Sequence, residues 1–220
     1  MDTAEPGGGL AGRIRELTAL RGGGGRKDLR DPFAPTLITN ASFEREKGIQ
    51  DGYASAYVFP DGVYLPEIPL RTDGIVGLVK NFLLPRGPTD TLEWEHGSSK
   101  VEETVILICS HYSRDSRCGL MSGPLKRQFE KEIEKKGLLI RDGVRGEGGA
   151  RVGFTSHLSG HKFAGNVIVY LPGGLGVWYG RVEPKHVTGI LEETVIGGRI
   201  IRELCRGAIG VEGSISGLGT

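Results

Sequence analysis

The sequence predicts an α/β fold: a mixed sheet with flanking helices, preceded by a smaller α+β segment. Three observations predict it. Two continuous apolar runs, "TVILIC" at 104–109 and "NVIVYL" at 166–171, have strand length and the unbroken hydrophobicity of strands buried on both faces. Two longer stretches, 122–137 and 184–198, repeat their apolar residues at helical spacing. The second half of the chain reads β-α-β-β-β-α, an order that calls for a parallel pair and hairpin pairs in one layer.

Taken in order, the first 35 residues read as a flexible, basic, glycine-rich segment. "GGGL" (7–10) and "GGGG" (22–25) lie among Arg13, Arg15, Arg21, Arg26, Lys27 and Arg30. Such a composition offers too little apolar surface to offset the entropy of ordering it. It resembles a mitochondrial targeting segment, against which stand Asp2, Glu5, Glu16, Asp28 and Asp31, since transit peptides are poor in acids. Residues 36–100 read as an α+β segment and linker. "YASAYVFPDGVYLPEIPL" (53–70) gives two strand-forming runs around the turn signal Pro60-Asp61-Gly62. "TDGIVGLVKNFLLP" (72–85) sets Ile75, Val76, Val79, Phe82 and Leu83 at helical spacing, with Thr72 or Asp73 as cap and Pro85 as stop. Residues 86–100 are polar and linker-like, with Trp94 as a packing residue.

From residue 101 the chain becomes more regular. "VEETVILIC" (101–109) is a buried strand. "SGPLKRQFEKEIEKKG" (122–137) is a helix with Ser122 as cap, Pro124 in the first turn, and Leu125, Phe129 and Ile133 on one face. Lys126 with Glu130 and Glu132 with Lys136 support it, and Gly137 ends it. Strands follow at "ARVGFTSH" (150–157), "GNVIVYL" (165–171) and "GVWYGRV" (176–182), the last two joined by a "PGG" turn. "PKHVTGILEETVIGG" (184–198) is a helix with Val187, Ile190, Leu191 and Val195 inward, broken by Gly197-Gly198. "RIIRELC" (199–205) is a short terminal element, and 208–220 is a flexible tail. A thioredoxin-like layer over residues 101–207 fits this order.

Composition excludes several classes. With 28 basic and 27 acidic residues, the chain lacks the surplus of a general nucleic-acid binder. No apolar run approaches the ~20 residues that span a bilayer. Three cysteines cannot form a fully paired disulfide framework. A reducing compartment is the default, with metal or redox chemistry as the use of any special pair. Asn40-Ala41-Ser42 then matches the glycosylation pattern by chance. No nucleotide loop, serine nucleophile elbow or paired-carboxylate constellation marks a substrate-transforming enzyme.

Two of the three cysteines, Cys109 and Cys118, stand at the end of the first buried strand and in the polar stretch "SHYSRDSRC". Two of the five histidines, His157 and His161, follow the "RVGF" strand, with Gly160 allowing a tight turn between them. Alone, a strand-end cysteine is a small buried hydrophobe, and a lone histidine is a surface group. Together, two thiolates and two imidazoles from neighbouring loops form a four-ligand set that suits zinc or iron. These residues do not separate zinc from an iron–sulfur cluster, although the eight-residue spacer is long for structural zinc. Arg114, Asp115 and Arg117 either brace the ligand loop or form a solvated ion pair. Lys162 is a solvated cation, or one that docks an acidic partner. Trp178 and Tyr179 are core or near-site residues. His111 lacks the paired spacing of His157 and His161, and His96 and His186 read as surface groups.

"ICSHYSRDSRCG" (108–119) and "SHLSGHKFAGNVIVYLPGGLGVWYGRVEPKH" (156–186) resemble the fungal thioredoxin-like [2Fe-2S] ferredoxin family, also labelled sucrose-cleavage-like, in its mitochondrial branch. The resemblance extends over about residues 36–207 and includes "PTLITNASF", "AYVFPDG" and "FLLP". It implies a thioredoxin fold carrying a [2Fe-2S] cluster, with Cys109, Cys118, His157 and His161 as ligands. It implies an electron carrier of the mitochondrial matrix or intermembrane space, with a redox protein as partner. Two neutral histidines in place of thiolates imply a raised potential, about −150 to +300 mV for Rieske centres against about −400 mV for plant-type ferredoxins. They also imply electron uptake coupled to proton uptake. Cys205 departs from the pattern, standing where a large apolar core residue is expected. Other functions compatible with the residues are a structural component, cluster- or zinc-bearing, of a larger mitochondrial assembly, and a thiol oxidoreductase using Cys109 and Cys118. The missing C-x-x-C weakens the last.

Overall fold

In the computed structural model, residues 9–18, 25–31, 36–44, 46, 48–85, 94–140, 145, 148–156, 158 and 161–210 are described. Strands β1 (Tyr53–Val58) and β2 (Val63–Pro69) form an antiparallel hairpin, and the short β3 (Ser99–Lys100) adds to β2. Helix α1 (Leu10–Thr18) and helix α2 (Thr72–Leu78), which runs on as a π-helical turn over Val79–Leu83, pack on that sheet. The hairpin lies where the aromatic and β-branched runs predicted it. Trp94 packs edge-on to Phe82 and donates its indole N–H to the Glu67 carbonyl at 2.9 Å.

The main sheet has five strands. β4 (Thr104–Cys109) is flanked by β5 (Ala150–Thr155), parallel, and by β6 (Val167–Tyr170), antiparallel. β7 (Gly176–Tyr179) and β8 (Cys205–Ile209) continue outward as antiparallel neighbours, so the order is β5-β4-β6-β7-β8. Helix α3 (Ser116–Lys135) is the crossover between β4 and β5, and helix α4 (Val187–Ile190), prolonged by a π-helical turn over Leu191–Ile196, follows β7. A βαβ unit joined through its first strand to a ββα unit is the thioredoxin-like mixed sheet with flanking helices. Every residue of β4 is buried, which explains why that strand reads as an unbroken apolar run. Ile106, Ile108, Leu125, Phe129, Ile133, Val167, Val169 and Val187 form the core on the helix side.

Several details differ from the sequence expectation; in α3, Glu132 pairs with Lys135 at 2.7 Å and not with Lys136. The first 35 residues contain α1, whose Leu10, Ile14 and Leu17 recur at one-face spacing and join the cluster of Ile75, Leu78 and Phe82; the flanking glycines dilute that signal. Helix α2 has Arg71 as N-cap with no side-chain cap bond, so neither Thr72 nor Asp73 caps it. Helix α3 starts at Ser116, not Ser122, because Asp115 supplies the cap. Ser122 is buried inside the helix and its hydroxyl donates to the Gly119 carbonyl at 2.9 Å. At the other end, Ala208 and Ile209, expected in a tail, belong to β8, while residues 211–220 lie outside the described residues.

Two features tie the sheets together. The backbone around Ala41 bridges Thr155 on the outer edge of β5. The Ser42 N–H donates to the Phe154 carbonyl at 2.9 Å, and the Ser42 hydroxyl accepts from the Phe154 N–H at 2.9 Å. Gly153 makes room for this strap, since a Cβ there would lie 2.7 Å from the Phe43 ring. The second tie is a buried polar network. Glu103 accepts from Tyr57 at 2.8 Å and from Arg145 at 3.0 Å, while Arg151 donates to the Tyr57 hydroxyl at 2.6 Å. Arg145 also lies 4.0 Å over the Tyr64 ring.

Candidate metal centre

Cys109 ends β4, and its N–H donates to the Asn166 carbonyl at 3.0 Å. The chain then turns: the Arg114 and Asp115 N–H groups both reach back to the His111 carbonyl, at 3.3 and 3.1 Å. Asp115 caps α3 through its carboxylate, which accepts from the Arg117 N–H at 3.0 Å and from the Arg117 guanidinium at 2.9 Å. This cap starts the helix early and puts Cys118 in its first turn. Cys118 is therefore not in a polar loop, as its neighbours suggested, but buried at 2 % exposure, with Cys109 at 1 %. Of the three loop residues, Asp115 and Arg117 thus serve the helix that carries the second cysteine.

The two thiols are hydrogen-bonded to each other and form no disulfide. The Cys109 thiol beside it, together with burial, pushes the Cys118 thiol well above the ordinary cysteine range; the Gly165 N–H, directed at Cys118, opposes this. Around them pack Val105, Leu107, Leu158 and Ile168, with Phe43, Tyr57, Phe59, Tyr170 and Trp178 at the margin. On the outer side, Tyr112 is 61 % exposed and Leu120 is 65 % exposed, on either side of Cys118 in the chain. Gly119 allows Tyr112 this seat, because a Cβ there would lie 2.4 Å from the Tyr112 ring.

Of the four expected ligands, the described residues bring together Cys109 and Cys118. His157 lies outside them, and of His161 the backbone alone is described, opening a 3-10 turn, His161–Phe163. Among the described residues, no group of three or more His, Cys, Asp or Glu side chains is gathered to hold a metal ion. The described donors, two adjacent thiols, are of a kind that zinc and iron take. Two adjacent buried thiols resist ionisation by themselves, and a cation between them reverses that preference. His111 is buried two residues beyond Cys109. His186, expected at the surface, is half-buried and caps: its Nδ1 accepts from the Glu183 N–H at 3.1 Å. Cys205 is half-buried and packs on the core from β8. Tyr179 is fully buried, with its hydroxyl 2.5 Å from that of Thr194.

Sequence reasoning missed a cationic cluster beside the His161 turn. The Lys162 ammonium lies 5.1 Å from the Phe163 ring centroid, the Arg181 guanidinium 5.2 Å and the Arg206 guanidinium 4.3 Å. These residues come from three separate elements, so no local pattern announces them.

Comparison with known proteins gives the family to which the chain is similar. The profile of the family described as sucrase/ferredoxin-like matches residues 3–207. The chain is 41% identical over 207 residues to altered inheritance of mitochondria protein 32 of Debaryomyces hansenii, covering 84% of this chain and 70% of that protein. It is 31% identical over 200 residues to the protein of the same name from Clavispora lusitaniae, covering 83% and 67%. It is 38% identical over 97 residues to actin patches distal protein 1 of Saccharomyces cerevisiae, covering 43% and 30%. Among solved structures, a thioredoxin-like [2Fe-2S] ferredoxin from Aquifex aeolicus aligns over 51% of this chain and 98% of its own, at 20% identity and a TM-score of 0.36.

Proposed function

Because the chain belongs to the sucrase/ferredoxin-like family, we propose that it is an electron-transfer protein in which Cys109, Cys118, His157 and His161 hold a [2Fe-2S] cluster. The observation that carries this reading is the pair of buried, mutually hydrogen-bonded thiols at the end of β4 and the start of α3. In this assignment the two thiolates and the two imidazoles would together supply the four protein ligands. When bound, the cluster supplies a one-electron couple. The chain's own residues do the rest. Asp115 fixes the helix that presents Cys118, Asn166 anchors Cys109, and the Gly165 N–H offers a hydrogen bond to a thiolate sulfur, which raises a potential. The apolar shell of Leu107, Leu158 and Ile168 limits water at the sulfurs. The relatives' name supports an association with mitochondria; a redox protein as partner is part of the proposal.

Burial argues against the thiol-oxidoreductase alternative. Reactive cysteines have lowered pKa values and access to solvent, whereas Cys118 is raised and both thiols are buried. The test is the visible spectrum and iron content of protein purified without oxygen. A red-brown product with two irons per chain, bleached by Cys118→Ala and retained by Cys205→Ala, is expected. A colourless product holding one zinc per chain would overturn the reading.

A further inference from the structure

Phe163 carries three cations. Lys162 precedes it, Arg181 reaches it from the turn after β7, and Arg206 reaches it from β8. All three lie close enough to one ring to fall within about a Debye length of one another, ~8–10 Å at physiological salt. Like charges so placed repel, and the fold accepts further costs to keep them there. Arg181 holds a left-handed backbone, φ 58°, which a side chain disfavours. Its N–H donates to the Phe163 carbonyl at 3.2 Å, so this strained conformation seats the residue on the Phe163 turn. Gly180 is open for the same purpose: a Cβ there would lie 2.5 Å from the Arg206 stem and 2.9 Å from Phe163. Among the described residues neither Lys162 nor Arg181 has an ion-pair partner. Glu183, two residues after Arg181, is engaged with Lys185 at 2.9 Å.

The cluster is joined to the thiol pair. Arg206 donates to the Asn166 side chain, and the Asn166 carbonyl accepts from the Cys109 N–H. Gly165, two residues after Phe163, directs its N–H at Cys118. We propose that Lys162, Arg181 and Arg206, gathered on Phe163 beside the cysteines, are the docking surface for an acidic protein partner. Carboxylates on the partner would relieve the repulsion among the three cations and steer its approach to the metal-binding end of the sheet. The inference rests on the electron-transfer reading for the partner's class, and on the cation cluster for its charge.

The probe is a fluorescein-labelled polyglutamate peptide, its binding followed by anisotropy at rising salt. Wild-type protein should bind, and binding should weaken steadily as salt is added. Lys162→Gln with Arg181→Gln should lose affinity by about tenfold. Lys131→Gln with Lys135→Gln, which removes the same charge from the far end of α3, should stay within about twofold of wild type. Equal losses in the two double variants would show a response to net charge and overturn the proposal. So would tighter binding of a single-stranded oligonucleotide than of polyglutamate. Circular dichroism shows that each variant is folded. Colour separates the two readings: colourless protein that binds polyglutamate removes the cluster and keeps the docking surface, and coloured protein that ignores it does the reverse.

Discussion

Glu103 is fully buried, where it accepts hydrogen bonds from Tyr57 at 2.8 Å and from Arg145 at 3.0 Å. Burial by itself pushes its carboxyl up, but the Arg145 guanidinium and the Tyr57 hydroxyl hold it below the usual carboxylate range. A depressed pKa binds protons less well in the folded state than in the unfolded one. Its stabilisation is therefore present above the ordinary carboxylate pKa and lost as pH falls through the folded value. We expect Glu103→Gln to cost about 2–3 kcal/mol at neutral pH and to flatten the acid limb of a stability-versus-pH curve, measured by urea unfolding. An acid limb unchanged in the variant would place the titration elsewhere. Tyr57→Phe removes the 2.6 Å acceptor of buried Arg151. It should cost about 1–3 kcal/mol in the same assay.

Helix α3 owes its first turn to Asp115. Asp115→Ala should destabilise the fold by about 1 kcal/mol, and Asp115→Asn, which keeps a capping oxygen, by much less. The first turn carries Cys118, so the alanine variant should also speed alkylation of that thiol in metal-free protein, read by mass spectrometry. Equal alkylation rates in the two variants would mean that the cap does not hold the cysteine. Gly119→Ala should have a similar effect by another route, since its methyl group would enter the Tyr112 ring and backbone. How much of this was legible in sequence depends on the element. β4 could be read because all its side chains are apolar and buried, so no phase had to be found. The start of α3 could not, because Ser122-Gly123-Pro124 imitates an N-terminus, while the cap at Asp115 hides among charges that looked like loop. β8 is short, interrupted by Arg206 and Gly207, and none of its residues is fully buried; its strand exists because β7 offers an edge. The thiol pair was legible from its place after a buried strand. The cations on Phe163 were not, because they meet only in the folded chain.

At the scale of the whole molecule, the two sheets do not form separate hydrophobic units. Tyr64 of the first, with Val101 just beyond β3, shares a cluster with Val105, Cys109 and Ile168 of the second, and Phe59 stacks on Tyr170 at 3.8 Å. Glu103, Arg145 and Arg151 add a polar seam across the same boundary. Such shared burial favours one cooperative transition. The chain's two tryptophans, Trp94 and Trp178, report the two sides. In Trp94→Phe protein the fluorescence of Trp178 should melt at the same temperature as the far-ultraviolet dichroism of the whole chain. Two resolved midpoints would show that the sheets unfold independently.

The strap laid by Ser42 on β5 has a consequence for the order of events in folding. Its partners are 112 residues apart in the chain. Closing a loop of that size costs about 4 kcal/mol in chain entropy, and local hairpins such as β1–β2 and β6–β7 face no comparable barrier. The strap therefore closes late, after the central strands have met. During synthesis the residues around Ser42 leave the ribosome long before Phe154 exists, and they must wait. In pulse-labelled hydrogen exchange, the amides of Ser42 and Phe154 should gain protection together and after those of β4 and β6. A mutation that weakens the strap should hasten unfolding while leaving the refolding rate nearly untouched.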